Sequence, residues 1–453
     1  MIIIHGMNRM IPPELRGPSE SASRHLAYFP RAQLNPTLLH RPPVFIPRLL
    51  MPTIEKTLKQ FPVVVLTGAR QTGKSTLVQH LASARGRLYR TLDDFDVLAR
   101  AENSPETLLE EAERLTLDEV QRAPQLLLAV KRAVDRDRRK GRFLLTGSAN
   151  LLLMRKVSES LAGRATYLTL LPMTEREKRS SHDPGPWGGL LKAETTKELA
   201  RVLKGNGVPT DDWAERVLVG GYPSVVLATS LEERLRWFEG YVATYLERDL
   251  KDVASISALA DFRRLMGLAA LRLGQIVNQS ELGRDAALSQ PTVHRYLNIL
   301  ETSYQIVRLP AFTRSRSGRL IKSPKVYWGD TGLAAFLFGV SDVGAVRQAG
   351  GLLENLVLTQ LLAWREVELP RPHVYYWRTA AGAEVDFVIE SKGRLLPIEV
   401  KASPRARVEN TRSLELFLDE YPKEARVGLL LYGGKEVIPL SARVLAVPIG
   451  TVL

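Results

Sequence analysis

The octet GARQTGKS, residues 68–75, limits what this chain can fold into more than any other feature. It fits GxxxxGK[ST], follows the apolar run VVVL and precedes a helical pattern. Glycines at such spacing let successive backbone N–H groups wrap a phosphate at a helix N-terminus, where the dipole favours negative charge. The spacing assigns a nucleotide cradle to Gly68, Ala69, Arg70, Gln71, Thr72, Gly73, Lys74, Ser75 and Thr76. Lys74 is placed to reach the β- and γ-phosphates and Ser75 to ligate Mg²⁺. Such a loop needs a parallel sheet behind it. PVVVLTG, RLTLDEV and RFLLTGS supply one, as short apolar runs that end in polar residues and are separated by helical stretches.

The second run ends in Asp118 and Glu119. An acid at a strand tip beside the phosphate loop holds Mg²⁺ through water, which suits Asp118, and the next acid, Glu119, activates the attacking water. The third run ends in TGSAN, where Thr146, Ser148 or Asn150 can orient that water and Ser148 is favoured. SLAGRA sets Arg164 before another apolar strand. Arg164 either reaches a neighbouring copy's γ-phosphate or answers the local helix dipole.

Charge points the same way. Lys and Arg outnumber Asp and Glu by 63 to 49, a net charge of +14. That balance favours polyanionic partners, DNA among them. With no cysteine and no HExxH pair, thiolate zinc sites, disulfides and zincin chemistry are excluded, and a metal must be held by oxygen, as Mg²⁺ or Mn²⁺ prefers. No apolar run approaches the ~18 residues of a membrane span. The first residues, MIIIHGMNRM, lack a secretory pattern, so the expected location is cytoplasmic.

Composition shifts divide the chain into a loosely ordered extension (1–45), an ATPase core (46–190), a helical lid (191–255), a winged helix (256–342) and a C-terminal α/β domain (343–453). In SQPTVHRYLNIL, Ser289 is an N-cap, and Val293, Leu297 and Leu300 share a face. Gln290, Thr292, His294, Arg295 and Asn298 are then candidates for DNA contact, with Arg314, Arg316 and Arg319 on a basic wing. The same helix and loop also suit domain packing.

AEVDFVIESKGRLLPIEVKAS, from residue 383, reads as a hairpin. A four-residue loop at 391–394 sets Asp386 opposite Glu399 and Glu384 opposite Lys401. Val385, Phe387 and Ile389 then share the other face with Leu396, Ile398 and Val400. The charged face is either solvated or a metal site of Asp386 and Glu399, with Glu354 on the preceding helix and Lys401 positioned for phosphate chemistry.

These motifs resemble a known family. LTGARQTGKSTL, LTLDEVQRAP, FLLTGSAN and SLAGRA are similar to AAA+ ATPases of the AAA_14 type. GGYP, YLERDL, WGDTGL, LLENLV, EVDFVI and IEVKAS resemble the domain often joined to them, a winged helix fused to a PD-(D/E)XK nuclease-like fold. The resemblance implies ATP and Mg²⁺ at the phosphate loop, and a homo-oligomer for which a hexameric ring is one form. It also maps the nuclease signature onto Asp386, Glu399 and Lys401, with Glu354 as the helical acid. The expected function is ATP-driven DNA remodelling, with branched or four-way (Holliday) junctions among the substrates. Two alternatives stay open: an ATP-switched regulator without motor or nuclease activity, and an ATP-gated metal-dependent endonuclease.

Overall fold

The computed structural model describes residues 45–147, 161–205, 212–244, 259–315, 318–319 and 322–453. The extension read at 1–45 lies outside them except for Phe45, as do Ser148, Asn150 and Arg316.

Five strands open the fold: β1 (Val63–Thr67), β2 (Leu88–Thr91), β3 (Leu115–Asp118), β4 (Phe143–Thr146) and β5 (Ala165–Thr169). They form a parallel sheet in the order β2-β3-β4-β1-β5, with Val63 beside both Phe143 and Ala165. β1, β3 and β4 are buried along their whole length. That explains their unbroken apolar runs, since helices cover both faces. Val63, Val65, Leu117 and Leu145 pack with Leu127 and Val130 on one side. Val64, Leu66 and Leu144 pack with Ile54, Leu58 and Leu77 on the other. All five carboxyl ends therefore point to one edge.

Short helices follow, then the helices Leu259–Leu271, Gln279–Ala286 and Gln290–Thr302 and the antiparallel pair β6 (Ile306–Leu309) and β7 (Lys325–Trp328). Ile276 bridges to Lys325 on β7's other side. The helix Gln290–Thr302 has Ser289 as N-cap and buries Val293, Tyr296, Leu297 and Leu300, which is the apolar stripe its spacing predicts.

The last unit is a six-stranded mixed sheet of β8 (His373–Arg378), β9 (Glu384–Ser391), β10 (Arg394–Lys401), β11 (Gly428–Tyr432), β12 (Ile438–Pro439) and β13 (Val444–Pro448), in the order β12-β13-β11-β10-β9-β8. The helix Gly350–Val367 covers one face, and Arg412–Glu420 covers the other. One continuous core runs from Trp187 through Phe262, Trp328 and Leu356 to Leu429.

The β9–β10 hairpin is tighter than expected. Ser391 pairs with Arg394, and Lys392 and Gly393 alone turn the chain, at φ 51° and 75°. Two central residues with positive φ match the right-handed strand twist. Register is unchanged because the turn keeps its centre, but the ladder stops at Phe387 and Ile398. There the Asp386 carboxylate accepts the N–H of Val400 at 2.9 Å in place of a strand bond. Nor is the apolar face continuous: Phe387 and Ile389 join the long core, whereas Val385 packs with Trp377 and Phe417 behind the sheet. A bulge in β9 sets Asp386 and Phe387 against Tyr376 alone, between the pairs Tyr375–Val388 and Trp377–Val385, which turns Val385 to the other face from Phe387.

Candidate functional site

The phosphate loop leaves β1 at the carboxyl edge and ends where the helix Lys74–Gln79 begins. Gly68 has φ 145°, and a Cβ there would collide with the Leu170 carbonyl on the strand alongside. Only glycine lets the loop pass that close. Thr72 Oγ1 donates to Ala69 O at 2.9 Å, closing the loop on itself. Lys74 is buried, and its ammonium donates to the carbonyls of Ala69 (2.8 Å) and Gly68 (3.1 Å). Burial pulls this ammonium down to about 8, against the opposing charges of Glu119 and Asp118.

Asp118 sits at the tip of β3, buried, and accepts from Tyr89 Oη at 2.6 Å, from Thr146 Oγ1 and from the N–H of Glu119. Glu119 follows in a left-handed conformation, φ 57°, with its carboxylate on the Gln121 amide. Arg70, Gln71 and Thr76 are exposed and Ser75 is half-buried. Gln71 and Tyr304 share that left-handed conformation, at φ 65° and 60°. Backbone strain of roughly 1–3 kcal/mol per residue is thus gathered around the loop, as it is at many functional sites.

Arg164 is placed elsewhere. It precedes Ala165, which pairs with Val63 at the sheet's amino edge, and its guanidinium forks onto Asp135 at 2.6 and 3.0 Å. It cannot reach its own chain's phosphate loop.

Three contacts to this loop were invisible in the sequence. Arg48 donates to Thr72 O at 2.8 Å and to Glu177 at 3.1 Å. Tyr304, in the turn between the helix Gln290–Thr302 and β6, bonds through its hydroxyl to Thr67 Oγ1 at 2.8 Å. Tyr241 donates to Arg70 O at 3.4 Å and accepts from Gln305 Nε2 at 3.2 Å. No spacing rule links Tyr241 to Arg70 or Tyr304 to Thr67, 171 and 237 residues apart, or Arg48 to Thr72, 24 apart. The GGYP and WGDTGL motifs are fastened to each other: buried Asp330 accepts the N–H groups of Gly221 (2.5 Å) and Leu333 (2.9 Å).

On the helix Gln290–Thr302, Gln290, His294 and Arg295 are exposed. Thr292 is held by the Ser289 cap, and Asn298 accepts from Arg308 at 2.8 Å. Two wing arginines are described, Arg314 exposed and Arg319 half-buried. Arg314 donates to Glu420 O at 2.7 Å and stacks over Tyr421, while Arg319 bonds Glu390 at 2.6 Å and Tyr375 Oη at 3.1 Å. Both tie the segment after β6 to the last unit, Arg319 to β9 and Arg314 to the end of the helix Arg412–Glu420.

Glu354, Asp386, Glu399 and Lys401 do come together, but with a fifth member that sequence reading missed. Lys325 of β7, 2% exposed, ion-pairs with Glu384 and lies 3.6 Å from Asp386 and 3.8 Å from Glu354. Tyr327 Oη donates to Glu354 at 2.7 Å, and Lys401 pairs with Glu399. Burial, then the Asp386 charge, pushes the carboxyls of Glu354 and Glu399 up to about 8. Among the described residues, no group of three or more His, Asp or Glu is arranged to hold a metal ion. A lysine in the strand KVYW reads as an edge charge in sequence, and nothing local reveals where it points.

Comparison with known proteins finds three family matches along the chain. Residues 60–178 match an AAA domain, 210–343 a domain of unknown function (DUF8612) and 349–452 a second domain of unknown function (DUF4143). An uncharacterized protein of Mycobacterium tuberculosis is 31% identical over 445 residues, spanning 98% of this chain and 90% of that one. The chain belongs to this AAA-domain family. An uncharacterized protein of Haemophilus influenzae is 21% identical, over 80% of this chain and 88% of its own. Among solved structures, a Walker-type ATPase of Pyrococcus abyssi is similar at TM-score 0.37 and 16% identity, covering 63% of this chain and 94% of that one. A DNA clamp loader delta protein of Bacillus subtilis is similar at TM-score 0.24 and 14% identity, covering 68% and 99%. The AAA domain implies nucleotide binding, usually with Mg²⁺. The residues present fit both: a strained glycine loop, a buried ammonium set on carbonyls, and a strand-tip carboxylate beside them. No helix among the described residues is long and apolar enough to cross a membrane.

Proposed function

We propose that this AAA-family protein hydrolyses ATP and uses its nucleotide state to reposition a DNA-binding three-helix region, a winged helix, and so remodel bound DNA. The observations that carry this reading are two ties to that region: Tyr304 bonds Thr67 at the base of the phosphate loop, and Tyr241, on the helix Leu231–Tyr241, bonds both Arg70 of the loop and Gln305 beside β6. A loop that rearranges around a triphosphate pulls on both. Lys74, Ser75, Thr76 and the N–H groups of 68–75 would hold the phosphates, with Ser75 and Asp118 toward Mg²⁺, which supplies neutralisation of phosphate charge. Glu119 would orient and deprotonate the attacking water. Arg164, paired with Asp135 at the opposite edge of the sheet, would serve as an arginine finger only toward a neighbouring copy. DNA would lie along Gln290, His294 and Arg295, steered by the net +14.

ATPase rates measured with no DNA, linear duplex and four-way junctions test the reading. Stimulation of several-fold is expected. A rate indifferent to every DNA refutes it. A second reading, an ATP-gated nuclease, draws on Glu399, whose Oε2 is buried without a partner. It requires metal-dependent nicking that Asp386→Ala and Lys401→Ala abolish.

A further inference from the structure

The phosphate loop is held from behind by a residue outside its motif. Arg48 precedes the helix Met51–Leu58 and is 3% exposed. Its guanidinium serves three segments at once. Nε donates to Glu177 Oε1 at 3.1 Å, Nη1 to Thr72 O at 2.8 Å and Nη2 to Leu171 O at 2.6 Å. Glu177 is fixed in turn: Oε1 also accepts the N–H of Leu49 at 2.6 Å, and Oε2 accepts that of Thr174 at 2.7 Å. A planar guanidinium is pre-organised for such a fork, whereas an ammonium is not. A buried polar network with every member satisfied is rigid, so the Thr72 carbonyl is held in one direction.

The consequence falls on the next amide. The Thr72–Gly73 peptide is trans, so its N–H points opposite to its C=O. With the carbonyl on Arg48, the Gly73 N–H is turned away from it. Gly73 stands at φ 90° and has no Cβ to resist a flip of that peptide, so the motif alone does not fix the direction. Gly73 is half-buried, and among the described residues its N–H meets no acceptor. In a loop of this motif, such a donor is placed for a ligand oxygen.

We propose that Arg48 is a positioning residue for phosphate binding: it clamps the Thr72 carbonyl behind the loop and so aims the Gly73 N–H at the bound phosphates. The inference rests on the nucleotide reading of the loop and not on DNA. It also sets the segment at Leu171 and Glu177, beyond β5, behind the same peptide.

Two probes test it: ATP, and inorganic pyrophosphate, which shares only the phosphates with ATP. Calorimetry on the full chain compares wild type with Arg48→Met/Glu177→Gln, a pair that leaves neither charge buried without its partner. Both ligands should bind about 10–100-fold more weakly, the usual worth of one hydrogen bond to a charged group. The KM for ATP should rise by more than kcat falls. Glu177→Gln alone keeps Thr72 O and Leu171 O on the guanidinium, so it should lower the Tm but leave pyrophosphate affinity near that of wild type. In wild type, ¹³C-carbonyl threonine with ¹⁵N-glycine isolates the amides of Gly68, Gly73, Gly147 and Gly332, and Thr72→Ser identifies Gly73 by deleting its signal. Pyrophosphate should shift that signal downfield. The proposal is overturned if the Gly73 amide stays unmoved by bound pyrophosphate, a result that needs no Arg48 variant to fold. It is equally overturned if the folded double variant binds pyrophosphate as tightly as wild type. If wild type binds neither ATP nor pyrophosphate, the nucleotide reading falls and this inference falls with it.

Discussion

Lys74 shows how one buried charge sets a pH window. Its ammonium titrates at about 8 because burial outweighs the nearby acids. Phosphate binding requires the protonated form, so above that value binding must take up a proton. Each further pH unit then costs about tenfold in affinity. Nucleotide affinity should fall about tenfold between pH 7 and 9, and a flat titration profile across that interval would contradict the assignment. Glu119 sits beside it with a different task. Glu119→Gln should bind ATP as wild type does while its turnover drops by a factor of about 10²–10⁴, the usual worth of a positioned base. Filter binding and phosphate release separate the two effects.

At the scale of elements, β1, its loop and the strand-tip acid were legible in the sequence because each is a local pattern: a buried run, a spaced glycine loop, a carboxylate after LTL. The helix Gln290–Thr302 was legible for the same reason, its stripe falling at period 3.6. What escaped depends on partners far along the chain. Arg319 looks like part of a wing in sequence, yet Glu390 of β9 holds it, and Arg314, though exposed, also bonds the Glu420 carbonyl. Lys325 shares its cluster with acids that only the fold of the last sheet brings near. Tyr304 belongs with these. Tyr304→Phe removes one hydrogen bond of about 1 kcal/mol, so the fold should survive. Basal ATPase activity should persist while stimulation by DNA is lost. Retained stimulation would show that the tie transmits nothing.

For the whole molecule, the continuous core from Trp187 to Leu429 means that the segments after the AAA domain are not separate folding units. A chain ending after residue 342 would strip that core of Leu353, Leu356 and Phe387. It should show no cooperative thermal transition for the helical part, whereas a sharp one would contradict the single core. The proposed interaction with DNA belongs to this scale too. Arg295→Ala should weaken duplex binding and lower the slope of log affinity against log salt by about 1. An unchanged slope would move DNA off this face.

The same core has a consequence in time. Arg394 of β10 donates to Lys192 O at 3.0 Å and pairs with Glu194 at 2.8 Å, across separations of 202 and 200 residues. The helices near Trp187 therefore cannot finish folding until β10 has left the ribosome. At about 5–20 residues per second, that wait is roughly 10–40 seconds. The AAA sheet waits for less chain, since β1 pairs with β4 and β5, Val63 with Phe143 and Ala165. During synthesis the nucleotide domain can be complete while Trp187, Leu190 and Leu199 still face water. A chaperone, or ATP bound early at the finished loop, would meet the protein in that half-made form.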